Sequence, residues 1–122
     1  MILKKIGLSL VILATASQVF AKEGVSMKGT VSKSIVFNKE DKVIKPLFSE
    51  SFKVMGIGLS KGQKLEKHQT PTGAFLYVES GRVNFVMNGE TTVLAAGDYF
   101  SIPAKEMHEV VSLEDSRLML IK

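Results

Sequence analysis

Beyond residue 30 the chain is a succession of short runs rich in valine, isoleucine, phenylalanine and leucine, broken at close intervals by glycine, asparagine and proline. Side-chain positions within the runs follow a period of two, as in strands that turn one face to a core. The pattern predicts strands over residues 31–37, 43–48, 52–59, 74–79, 82–87, 91–95, 99–102, 107–113 and 117–121. No twelve-residue stretch there sustains a helical apolar period, so the expected fold class is all-β. Many short antiparallel strands in about 90 residues suit a small barrel or jelly roll.

The breaks refine this picture. Asn88-Gly89 is a two-residue hairpin signal, because both residues tolerate positive φ, and it joins the strands on either side. Ser80-Gly81 and Ala96-Gly97-Asp98 read as turns, and Thr70-Pro71-Thr72-Gly73 as a turn in which Pro71 sets φ and Gly73 is free to take a positive one. Pro46 cannot donate to a ladder, which puts its strand at a sheet edge, while Gly56 and Gly58 mark a bulge or a close approach. Period-two parity places His68 with Thr70, Ala74 with Leu76 and Val78, and His108 with Val110 and Ser112.

The first 21 residues follow a different pattern. Met1 to Lys5 is basic, residues 6–14 are largely apolar, and small residues stand at Ala14, Ala16, Val19 and Ala21. This is the grammar of a cleavable secretory signal, cut after Ala21 or alternatively after Ala16, and it implies a periplasmic or secreted protein. The apolar stretch is about half of the roughly 20 residues that span a bilayer, so no permanent membrane anchor is expected. Cleavage after Ala21 leaves a short polar, flexible stretch at residues 22–30 and one domain at residues 31–122. The chain has no cysteine, so export brings no disulfide framework and stability must come from packing.

Charge changes little. Lys4 and Lys5 leave with the leader, reducing the formal net charge of +4 to +2, and the remaining charges are interspersed, as in Lys39-Glu40-Asp41-Lys42. There is no basic stripe interleaved with aromatics, so nucleic acid is not an expected partner. Phosphate-binding glycine loops, nucleophile elbows and cysteine nucleophiles are all missing from the sequence.

The candidate chemistry lies in the chain's two histidines. Gly62 is followed after five residues by His68, after one more by Thr70, after three by Ala74 and after six by Gly81. Gly97 is followed after five residues by Pro103, after one by Lys105, after two by His108 and after three by Ser112. This spacing resembles the paired motifs of the cupin superfamily, in particular small single-domain bacterial cupins, over residues 62–122 and more loosely from residue 31. The resemblance implies a jelly-roll β-barrel, a homodimer, and an interior onto which the rows of His68, Leu76 and His108 point. Phe75 and Tyr77 then point outward, to be covered by the N-terminal strands or a second copy, or with Tyr77 partly exposed. In the family's pattern Thr70 and Ala74 would be a second histidine and a glutamate, Lys105 a glycine and Ser112 an asparagine.

Those departures weaken the metal reading. A catalytic zinc centre takes three protein ligands and a non-haem iron centre two histidines and a carboxylate. Only His68 and His108 remain as metal ligands, so a divalent metal held tightly is not expected. Glu66 shares the parity of His68 and falls at the rim, whereas Met55 and Met107 would supply thioethers for Cu(I), although methionine in an apolar pattern is ordinarily core filler. Without metal, the two imidazoles either take interior hydrogen bonds or anchor a ligand. The leading expectation is a module binding a small polar or anionic molecule, with His68, Thr70, His108 and Ser112 as polar candidates and Leu76, Val78, Phe85 and Phe100 as walls. The alternatives are a metal-dependent dioxygenase or isomerase using His68 and His108, and a dimeric structural or assembly protein with no ligand.

Overall fold

Hydrophobic alternation over short segments builds two antiparallel sheets that share one core. The computed structural model describes residues 27–122; the expected leader at residues 1–21, and the polar stretch as far as residue 26, lie outside the described residues. Residues 31–122 form one compact unit. It contains a single helical turn, α1 (Val31–Ser34), and nine strands: β1 (Val43–Ser49), β2 (Lys53–Leu59), β3 (Lys64–His68), β4 (Ala74–Ser80), β5 (Arg82–Met87), β6 (Glu90–Ala95), β7 (Tyr99–Ile102), β8 (His108–Ser112) and β9 (Ser116–Ile121). One sheet has the order β1-β2-β9-β4-β7, the other β3-β8-β5-β6. From β2 to β5 the chain crosses from sheet to sheet at every connection, and it does so again from β6 to β9. This winding is that of a jelly roll.

The inward rows fill the space between the sheets. Ile57, Leu59, Leu76, Val78 and Leu118 from the five-stranded sheet meet Leu65, Val83, Phe85, Leu94 and Val110 from the other, all buried. Phe85 is at the centre, its ring 4.1 Å from that of Phe100 and 5.6 Å from that of His108. Cutting such a ring back to alanine typically costs about 3–5 kcal/mol.

Local signals act as the sequence predicts at the β5–β6 turn and at Gly81 and Gly97, which take positive φ, whereas Gly73 does not take the positive φ open to it. Asn88 and Gly89 both take positive φ, 53° and 76°, and close the β5–β6 hairpin. Lys105, where the cupin motif has glycine, has a φ of 65°. β1 is an edge strand and its register shifts just after Pro46.

Two expectations fail. Residues 31–37 were expected to be a strand, but Val31–Ser34 is one helical turn, closed by the Ile35 amide donating to the Val31 carbonyl at 2.9 Å. The turn drops Ile35, fully buried, onto β2 over Gly56 and Gly58, where a methyl group on Gly58 would lie 2.8 Å from Ile35. Apolar residues four apart, Val31 and Ile35, fit a turn as well as a strand, and this burial decides between them. β3 was not predicted as a strand at all: Lys-Leu-Glu-Lys-His has one aliphatic residue, because β3 is an edge strand with only Leu65 buried.

On the outer face, Arg117 donates from Nε to the Ile35 carbonyl at 2.8 Å and lies 4.3 Å over the Phe37 ring. The N-terminal segment thus covers the Gly56, Gly58 and Arg117 end of this face. Phe75 remains exposed and stacks on Tyr99 with centroids 5.1 Å apart, and Tyr77 is half-buried.

Candidate functional site

His68 ends β3 and His108 begins β8, and the two are register partners. Between Leu65 and His68 the β3–β8 register shifts, so that three steps along β3 match two along β8. This bulge turns both Leu65 and His68 inward, although their spacing in an unbroken strand would put them on opposite faces. Glu66 is solvent-exposed on the bulge, at the rim where it was expected, but out of the inward row of His68.

The rings have centroids 4.5 Å apart and planes tilted by 57°. Each is fixed by the same device, an Nδ1 contact with the carbonyl two residues earlier: 2.7 Å from His68 to Glu66 and 2.9 Å from His108 to Glu106. A carbonyl only accepts, so Nδ1 carries the proton in both rings and each Nε2 of a neutral ring keeps its lone pair. Burial is the main cause that pushes the His108 pKa below its ordinary value; the Glu106 carbonyl opposes this and the neighbouring His68 adds to it. A lowered pKa keeps His108 neutral at neutral pH.

The remaining polar candidates are buried but committed. Thr70 donates its hydroxyl to the Thr72 carbonyl at 2.7 Å, within the predicted turn. Ser112 is held by the turn that follows it, through the Glu114 carbonyl at 2.5 Å and the Ser116 hydroxyl at 3.0 Å. Neither hydroxyl bonds an imidazole. Ala74 stands where the family's pattern has glutamate, and no group of three or more His, Cys, Asp or Glu side chains able to hold a metal exists among the described residues. The donors present therefore do not fit a resident zinc or non-haem iron centre.

A cavity of about 460 Å³ opens between β3 and the inner face of β1, β2 and β9. Its walls are Ile44, Met55, Ile57, Leu65 and Leu120, and its polar residues are His68, Glu66, Lys42, Lys53 and Lys122. The volume is within the range of small-molecule sites. Leu76, Val78, Phe85 and Phe100, the walls expected from sequence, do not line it. Leu76, Val78 and Phe85 are close-packed core, with Phe100 against them, because facing rows interdigitate at the centre of the jelly roll. The void lies to one side, toward the β1 edge. His108 is next to His68 but outside the lining, as are Thr70 and Ser112. Met55 is in the wall, while Met107 is exposed and outside it. Parity along residues 53–57 carries the signal for the missed Lys53 and Ile57, which share a row with Met55, but only three-dimensional packing reveals which row borders a void.

The family model of the cupin domain matches residues 57–121, more than half of the sequence. The chain belongs to the cupin family. Its fold is shared with a Streptococcus pyogenes protein of unknown function, at 18% identity and a TM-score of 0.72 over 85% of this chain and 89% of the other. A cupin superfamily protein from Desulfitobacterium hafniense aligns at 11% identity and a TM-score of 0.72, over 79% of this cupin and 90% of that chain. A Thermus thermophilus protein aligns at 23% identity and a TM-score of 0.68, covering 78% and 95%. These likenesses establish the fold alone. No curated protein matches the sequence.

Proposed function

We propose that this cupin is an exported binding module that takes a small polar or anionic organic molecule into the cavity between its sheets, with His68 as the polar anchor. The observation that carries this reading is the position of His68: its ring borders a largely apolar cavity of about 460 Å³, with Nδ1 spent on the Glu66 carbonyl and Nε2 left to a ligand. A few fixed polar groups in an apolar cavity are how small-molecule sites set orientation. His108 supports the anchor from behind, its own ring fixed by Glu106 and Phe85. Export rests on the leader-like residues 1–21.

The test is a panel of small organic acids, alcohols and sugars screened by amide chemical shifts on tag-free protein. Hits should move Met55, Ile57, Leu65 and Leu120, and His68→Ala should weaken them by about tenfold, the worth of one good polar contact. Hits that leave those residues still, or that bind the double variant His68→Ala/His108→Ala unchanged, would overturn the reading.

One competing reading has an observation behind it. Two pinned imidazoles with bare Nε2 atoms are also how histidines are prepared for a metal. A metal-dependent oxygenase or isomerase would need water or substrate to complete the coordination, since Thr70 and Ala74 supply nothing, and stoichiometric metal in the purified protein would favour it.

A further inference from the structure

The cavity has a charged end that the histidines do not explain. Lys53 starts β2 and Lys122 follows the end of β9, and their backbones exchange both hydrogen bonds, 2.7 Å from the Lys53 amide and 3.0 Å from the Lys122 amide. Residues paired in this way project side chains from the same face, with Cα atoms about 5.5 Å apart. That face is the inner one, and both lysines line the cavity. Neither has a carboxylate within ion-pair distance: the ion pairs among the described residues are Lys42–Asp41 and Arg82–Glu114. Like charges directly opposite each other on a ladder destabilise the sheet, so the pair adds nothing to the fold.

Next to this pair comes an apolar trough. Along β2 the inner row runs from Lys53 through Met55 to Ile57, with Leu120 opposite Met55 and Ile44 opposite Ile57. Four steps of 3.4 Å from Lys53 to Ile57 make the row roughly 14 Å long, charged end included. Lys42, at the far end, is already paired with Asp41 at 3.8 Å. The cavity is therefore polarised, with two ammonium groups outside ion-pair distance of any carboxylate at one end, aliphatic walls along its length, and Glu66 and His68 on the β3 side.

We infer that the ligand is an amphipathic organic monoanion, a carboxylate held between Lys53 and Lys122 with an unbranched apolar body lying along Met55, Ile57, Leu120 and Ile44. This rests on the proposed cavity reading and narrows its ligand to one chemical class. The aliphatic walls disfavour a sugar, whose hydroxyls would find partners only among the polar residues at the ends and the β3 side. A compact inorganic anion would leave the walls wet.

The experiment titrates tag-free protein with decanoate, decan-1-ol and acetate at low salt, followed by the shifts of Met55, Ile57 and Leu120. Decanoate should bind at least tenfold more tightly than decan-1-ol, acetate should not saturate, and the preference should shrink as salt is raised. Lys53→Gln/Lys122→Gln should bind decanoate and decan-1-ol alike while folding at least as stably as the parent, and each single variant should lose part of the preference. Equal binding of decan-1-ol and decanoate by the parent would overturn the anion assignment but leave the cavity reading standing. Equal binding of acetate and decanoate would remove the apolar body from the proposal, and a preference that survives the double substitution would overturn the lysine clamp. If no probe moves the cavity residues, the narrower inference falls together with the cavity reading.

Discussion

At the scale of residues, two imidazoles of the same covalent type differ through their surroundings. His108 is buried against Phe85, and desolvation holds its pKa below 6.5. An unfolded chain takes up this proton near 6.5, the folded chain only at lower pH, so between the two the unfolded state binds more protons. The contribution of His108 to stability is full above that window and is lost as pH falls through it. The midpoint of urea unfolding should therefore decline as pH drops below 6.5, and His108→Gln should flatten the decline; an unchanged slope in the variant would contradict the account. Both histidines were legible in the motif, as was the inward direction of Leu76, Val78, Val110 and Ser112. Glu66 lies at the rim as expected, but not in the inward row of His68, because parity assumes an unbroken strand and the β3 bulge breaks it. The lysine pair was not legible, since pairing of Lys53 with Lys122 is a long-range register that alternation along one strand does not encode.

At the scale of elements, the site depends on how the first elements close over the five-stranded sheet. Ile35 reaches Gly56 and Gly58 because these positions lack side chains, and β2 is thereby held with its Lys53, Met55 and Ile57 row toward the cavity. Gly58→Ala should force Ile35 outward and cost about 1–3 kcal/mol, the usual penalty for overpacking. Chemical denaturation reads this directly, and a neutral result would mean that the N-terminal segment contributes little to the fold. The sequence marked both glycines as a close approach but could not say by what, because the approaching residue comes from a segment whose pattern fits a strand equally well. β3 shows the converse. An edge strand that buries one residue has almost no hydrophobic signature, yet it presents the more accessible imidazole.

At the scale of the whole molecule, the described residues leave one outer face of the jelly roll incompletely covered. The Phe75–Tyr99 stack is exposed, with Tyr77 half-buried beside it, and the cupin resemblance implies a second copy there. On that reading the parent chain sediments as a dimer and Tyr77→Lys as a monomer with its ligand response intact; a parent that is monomeric throughout would contradict it. Family membership fixes the barrel and leaves chemistry to the residues that line it. We propose that this barrel keeps its two histidines for an organic ligand rather than a resident metal. The most direct measurement is elemental analysis of tag-free protein dialysed against a panel of divalent metals, beside His68→Ala and His108→Ala. Metal far below one equivalent per chain is expected in all three. Near-stoichiometric metal in the parent that both substitutions remove would contradict it and make the metal-dependent enzyme the better reading.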